Sequence, residues 1–182
     1  RLPALPGVPA TSPVLAGLSS SMAEMEFWLA AHTVQTTRID ALVCRHTLAG
    51  AVRPALQPDE LNGMLKGFMD LVFEHQGRYY VADYKSNWLG PDDAAYTPAA
   101  IGAAILHARY ELQYVLYVLA LHRLLQARLP DYDYERHVGG AVYVFLRGVH
   151  APSQGLHCER PPRVLIEALD ALFSCCRTKE TP

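Results

Sequence analysis

The stretch MLKGFMDLVFEHQGRYYVADYK, residues 64–85, constrains the fold more than any other in the chain. Two runs rich in the aromatic and β-branched residues that strands favour flank Gln76-Gly77, a short connection that lets antiparallel strands turn back. A hairpin is therefore predicted, with MLKGFMDLVFEH as its first strand and RYYVADYK as its second. A period of two puts Lys66, Phe68, Asp70 and Val72 on one face of the first strand. It puts Tyr79, Val81, Asp83 and Lys85 on one face of the second. Ionisable groups thus stand in runs that otherwise read as buried, where an unpaired polar group costs on the order of 2–7 kcal/mol. Either an ion pair or a functional site must account for them.

Around the hairpin the pattern changes several times. Residues 1–22 are rich in Pro, Gly and Ser and read as an irregular lead-in to a domain over 23–182. AEMEFWLA (23–30) alternates like a strand, with Glu24 and Glu26 on one face and Met25 and Phe27 on the other. TRIDALVCRH (37–46) fits a short strand or a helical turn, and VRPALQPDELNG (52–63) reads as a loop. From Pro98 to Leu129 the period is helical, as two helices or one bent one, stopping at Pro130. HVGGAVYVFLRGV (137–149) returns to a strand and RVLIEALDALFSCC (163–176) to an amphipathic helix. This order predicts one α/β domain with a mixed central sheet flanked by helices.

Composition narrows the function. The chain is 51% hydrophobic and 19% charged, enough apolar material for a real core. A net charge of −2 argues against a free-standing, high-affinity nucleic-acid binder, but allows an enzyme whose DNA is held mainly by other domains. Cys44, Cys158, Cys175 and Cys176 show no paired ligand spacing, so neither a zinc knuckle nor an iron–sulfur framework follows, and a reducing compartment is expected. No apolar run is long enough to span a bilayer, so no membrane partner is expected. The start on Arg1 rather than Met is read as the mark of a piece of a longer chain.

Asp83-Tyr84-Lys85 is the sharpest chemical feature. Residues i and i+2 of a strand share a face, so carboxylate and ammonium stand side by side. Alone, the two read as an ion pair of little energetic consequence. Asp70, mid-strand on the other arm of the hairpin, changes the reading. Two converging carboxylates form a hard-oxygen site for Mg²⁺ or Mn²⁺, and a neighbouring lysine can stabilise an anionic phosphodiester transition state.

LKGFMDLVFEHQGRYYVADYKSNWLG, ELQYVLYVLALHRLL and DYDYERHVGGAVYVFLRGV together resemble the nuclease domain of the exodeoxyribonuclease V beta subunit, RecB. The resemblance runs from about Glu24 to the C-terminus and implies the PD-(D/E)XK, or restriction-endonuclease-like, fold. It implies that Asp70, Asp83 and the Tyr84 backbone carbonyl bind the metal and that Lys85 is the catalytic lysine. Glu24 matches the family's upstream acid; it also fits a solvated strand edge, and Glu26 points the same way. Gln113 and Tyr117 match the family's Gln-xxx-Tyr pair, at i and i+4 on one helix face with Arg109 a turn earlier. Tyr117 fits the core as well as it fits a site.

The expected cofactor is Mg²⁺, with Mn²⁺ as a substitute and Ca²⁺ binding without supporting catalysis. The expected partners are DNA, the other subunits of a RecBCD-type complex, the helicase part of the same chain and a strand-exchange recombinase, in the bacterial cytoplasm. The expected activity is that of a deoxyribonuclease in double-strand-break repair and foreign-DNA degradation. The family's upstream histidine has no counterpart before Glu24, and on that ground the alternative is a catalytically impaired interaction domain that docks the recombinase or partner subunits. Weaker DNA-contact candidates are Trp88, directly after the lysine strand, Arg147 and Arg109. Trp28 reads as core. The histidines show no ligand spacing and read as solvated or satisfied.

Overall fold

The computed structural model describes residue 18, residues 20–48 and residues 50–174. Of the irregular lead-in expected over 1–22, residues 20–22 are instead strand, paired with residues 72–74; most of the rest, like the end of the last helix, lies outside the described residues. In chain order the elements are β1 (Ser20–Gln35), α1 (Thr36–His46), β2 (Glu60–His75), β3 (Arg78–Lys85), α2 (Pro98–His107), α3 (Tyr110–Arg128), α4 (Tyr134–His137), β4 (Val138–Phe145), β5 (Leu156–Glu159) and α5 (Arg163–Ser174). The strands form one sheet in the order β1-β2-β3-β4-β5. Every neighbouring pair is antiparallel except β3–β4. The chain between β3 and β4 runs through α2, α3 and α4, a crossover of the length that a parallel pair requires. The result is the mixed sheet with flanking helices that the sequence predicts.

The hairpin forms as read. Gln76 and Gly77 both have positive φ, 52° and 75°, the two-residue turn whose twist matches the strands it joins. The long helical stretch resolves into two helices, because Arg109 adopts a left-handed φ of 57° and ends one helix before the next begins. Residues 37–46 lie within helix α1. Glu60 already belongs to β2, since the ladder with β1 runs to Gln35↔Glu60; the loop reading ran too far. The strand read over 137–149 stops at Phe145, where a 3-10 turn over Leu146–Gly148 follows.

Most of the core lies between the sheet and the helices, from Leu29, Val81, Tyr143 and Phe145 to Ile101, Val115, Leu119 and Leu169. A smaller cluster, Phe73, Tyr80, Ala82, Val142 and Val144, fills the other face. All eight residues of β4 are buried, as expected of a strand covered on both sides beside a parallel neighbour.

The period of two does not run unbroken through β2. Met69 and Val72, three residues apart, both join the helix-side core, while Lys66 and Phe68 are exposed. The facing of the strand changes at Asp70. Directly across, the β1 ladder skips Glu24, whose φ is 52°, between Ala23↔Leu71 and Met25↔Met69. Strand irregularities of this kind re-aim a side chain, and this one coincides with the first candidate acid.

Candidate active site

The β2–β3 ladder ends at Leu71↔Ala82, one position short of pairing Asp70 with Asp83. Beyond that point Tyr84 donates its backbone N–H to Asp70 Oδ2 at 2.8 Å, so a carboxylate replaces the next carbonyl acceptor. In an extended strand a residue's N–H and C=O point to the same side, so the Tyr84 carbonyl lies on the edge that Asp70 occupies. Asp83 and Lys85 project from β3 toward the helices and are buried, 4% and 8% exposed.

Asp83 Oδ2 meets Lys85 Nζ at 2.5 Å. Lys85 Nζ donates to Gln113 Oε1 at 2.7 Å, and Gln113 Nε2 donates to the Tyr117 hydroxyl at 2.7 Å. The Tyr117 hydroxyl acts on the Asp83 carboxylate in turn, favouring its ionised form. Asp83, Lys85, Gln113 and Tyr117 thus form a continuous chain of polar contacts that turns back toward Asp83. It fixes the Gln113 amide with its oxygen toward the lysine and its nitrogen toward the tyrosine. The i, i+4 spacing on α3 is what lets one helix present both partners to a single strand.

Electrostatics follow from this packing. Burial pushes the Asp83 carboxyl above the usual carboxylate range; Lys85 and Tyr117 oppose the shift, and the neighbouring charge of Asp70 adds to it. Burial, with the Asp83 charge, pushes the Tyr117 hydroxyl up to about 12, so it remains a donor at neutral pH. Among the described residues no group of three or more His, Cys, Asp and Glu side chains is arranged to hold a metal. The available donors are instead the Asp70 and Asp83 carboxylates and a backbone carbonyl. That set suits a hard cation that keeps several of its waters.

The other candidates are placed as follows. Glu24 is exposed and across the ladder from Asp70, outside that chain of contacts. Arg109 precedes α3 and is not on the face of Gln113. Its guanidinium is taken up by Asp40 Oδ1 at 2.6 Å, Glu111 Oε1 at 2.6 Å and the Pro54 carbonyl at 2.5 Å. Trp88 and Arg147 line one open pocket with Tyr96 and Asp92; Trp88 is 67% exposed, and Arg147 bonds the Ser86 carbonyl at 3.1 Å. Trp28, read as core, is half exposed on the outer face of the β1–β2 ribbon and bonds Glu26. His75 and His157 each bury an Nε2 with no hydrogen-bond partner, unlike the solvated or satisfied histidines expected.

Sequence reasoning missed Tyr143 as a site residue. It pairs with Asp83 across the parallel β3–β4 ladder, and its hydroxyl donates to Gln113 Oε1 at 2.8 Å. Its sequence signals are its place in the apolar run of β4 and in the GGAVYVFLRGV stretch that carries the resemblance, neither of which assigns it a role. Tyr110, at the start of α3, puts its ring 4.0 Å from Lys85 Nζ.

Paired acids and a lysine at the irregular junction of β2 and β3, backed by a Gln and a Tyr from α3, define a nuclease of one class. The profile of the PD-(D/E)XK nuclease superfamily matches residues 9–174, and the chain belongs to that superfamily. Within it the chain is similar to the RecBCD enzyme subunit RecB of Escherichia coli K12, 50% identical over 154 residues, or 83% of this chain and 13% of that protein. The RecB subunit of Haemophilus influenzae is 43% identical over 154 residues, 82% of this chain and 12% of that protein. That of Mycobacterium tuberculosis H37Rv is 40% identical over 122 residues, 62% of this chain and 11% of that protein. The chain therefore spans about an eighth of the length of the first two relatives.

Proposed function

We propose that this chain is the nuclease domain of a RecBCD-type helicase–nuclease and hydrolyses DNA phosphodiester bonds with Mg²⁺ as its cofactor. The observation that carries the reading is the hydrogen-bonded chain from Asp83 through Lys85 and Gln113 to Tyr117, beside Asp70. A lone structural ion pair needs no such support from a neighbouring helix, whereas a lysine that must meet a phosphate in one orientation does. Asp70, Asp83 and the Tyr84 carbonyl would hold the cation. A bound divalent ion supplies Lewis acidity, lowering the pKa of water and offsetting charge on the phosphodiester. Lys85 has three N–H donors, and Asp83 and Gln113 engage two of them. The third is left to meet a non-bridging phosphate oxygen as negative charge grows there. Tyr117 and Gln113 keep the lysine and Asp83 in register through that change.

The similarity to RecB supports DNA as substrate, with the helicase part of a longer chain and the other complex subunits as partners, in the bacterial cytoplasm. It also supports a role in double-strand-break repair and foreign-DNA degradation, with docking of a strand-exchange recombinase as a further contact. The test is cleavage of single-stranded DNA with Mg²⁺ or Mn²⁺ by wild type and Asp83→Ala, beside thermal melts with and without the ion. Cleavage and ion-dependent stabilisation are expected in wild type alone. Wild type that does not cleave, or equal cleavage by both proteins, overturns the nuclease reading. Recombinase capture by such an inactive wild type would then favour an interaction domain.

A further inference from the structure

We propose that Tyr143 is a positioning residue for Lys85, acting through Gln113 and through its own ring; the assignment rests on the nuclease reading above. Tyr143 is fully buried in β4 beside Asp83. The Gln113 carbonyl oxygen has two lone pairs, and both are filled: Lys85 Nζ donates at 2.7 Å and the Tyr143 hydroxyl at 2.8 Å. A flipped amide would turn its NH₂ toward two donors and withdraw the hydrogen bond to Tyr117. Tyr143 therefore fixes the sense of the amide that aims the lysine.

The ring of Tyr143 adds a second constraint. Lys85 Nζ lies 4.7 Å from its centroid and 4.0 Å from that of Tyr110, within cation–π range of both. Tyr110 and Tyr114 meet the Tyr143 ring edge-on, at 6.0 and 5.9 Å between centroids, which holds its rotamer. The ammonium is bounded by Asp83, Gln113 and two aromatic rings, so its remaining donor has one direction to point. Tyr143 touches no substrate in this arrangement; it acts by where it puts the lysine.

Tyr143→Phe removes the hydroxyl and keeps the ring. With Mg²⁺ and single-stranded DNA, kcat is expected to fall about tenfold, the effect of losing one hydrogen bond in the transition state, with KM unchanged. Gln113→Ala combined with Tyr143→Phe is expected to lose no more than Gln113→Ala alone, because both act along one path. In the metal-free protein, NMR is expected to show Lys85 side-chain protons shifted upfield by the two rings and slow exchange of its ammonium protons. Tyr143→Phe should speed that exchange, and Tyr143→Leu should also reduce the upfield shift. Unchanged kcat in an active Tyr143→Phe protein, unchanged exchange, or losses that multiply in the double variant overturn the proposal. Wild type that does not cleave overturns the nuclease reading alone, because the Lys85 exchange rates still decide whether Tyr143 holds the lysine.

Discussion

Asp70 accepts the backbone N–H of Tyr84 at 2.8 Å, taking the place of the carbonyl that would have continued the β2–β3 ladder. One carboxylate thereby ends the strand pairing and stands beside the second acid. Asp70→Asn keeps an acceptor for Tyr84 but loses the charge, whereas Asp70→Ala loses both. Both variants are expected to cut cleavage on the order of 10²-fold or more, because each removes a charged oxygen ligand from the cation. Only Asp70→Ala is expected to speed amide exchange at Tyr84. Equal exchange in the two variants would mean that the hydrogen bond does not hold the strand end.

Asp83 and Lys85 have side chains only 6% and 9% exposed, so their ion pair is judged by what each leaves behind when the other is removed. Lys85→Met strands a buried carboxylate and is expected to cost about 3–5 kcal/mol in urea unfolding. Replacing both, as Asp83→Leu with Lys85→Met, is expected to recover most of that loss, because two apolar groups need no compensation. A double variant as unstable as Lys85→Met would show that the lysine stabilises by packing rather than by charge.

The hairpin and its ionisable residues were legible because their signals are local: a period of two, a polar-Gly turn, and an i, i+2 pair. The same locality explains the misses. Tyr143 matters through the register of a parallel pair, Asp83↔Tyr143, which is set by a crossover and written in no short window. Arg109 is claimed by Asp40, 69 positions away, and sits where the helix breaks. Trp28 looks like core by residue type, but β2 extends past the end of β3 and leaves the outer face of the ribbon uncovered, with Lys66 Nζ 4.9 Å over the Trp28 ring. The change of facing at Asp70 defeats a strict period of two, and it does so at the site itself.

His157 gives the fold a pH dependence with a definite sign. Burial pushes its imidazole down from 6.5 to about 4, so the folded protein keeps it neutral in a range where the unfolded chain is protonated. Stability from this group is full above about pH 6.5 and falls as pH drops toward 4, by roughly 3 kcal/mol in all. Burial raises the neighbouring Glu159 carboxyl, which has the opposite sign: the folded state gains protons first and is favoured as pH falls. The comparison with His157→Phe removes that shared background. Urea unfolding of both proteins from pH 7 to pH 4 should show the variant gaining on wild type by about that amount. A constant gap across the range would refute the assignment.

Gly67 ties ribbon packing to the site. It pairs with Phe27, and a Cβ built on it would fall 2.4 Å from Phe27 Cζ, so the ring lies directly over the missing side chain. On its other side Phe27 meets Tyr117 edge-on, with centroids 5.5 Å apart and planes at 78°. The Tyr117 hydroxyl accepts from Gln113 and favours the ionised form of Asp83. Gly67→Ala must displace Phe27, and the neighbour that receives the displacement is the hydrogen-bond partner of Gln113. The variant is expected to lose about 1–3 kcal/mol of stability, the usual cost of an added methyl in a packed place. It is also expected to lose cleavage at temperatures where it remains folded. Phe27→Leu placed in the same chain frees room and should restore part of both. Restored stability without restored cleavage would show that Phe27 itself sets the position of Tyr117.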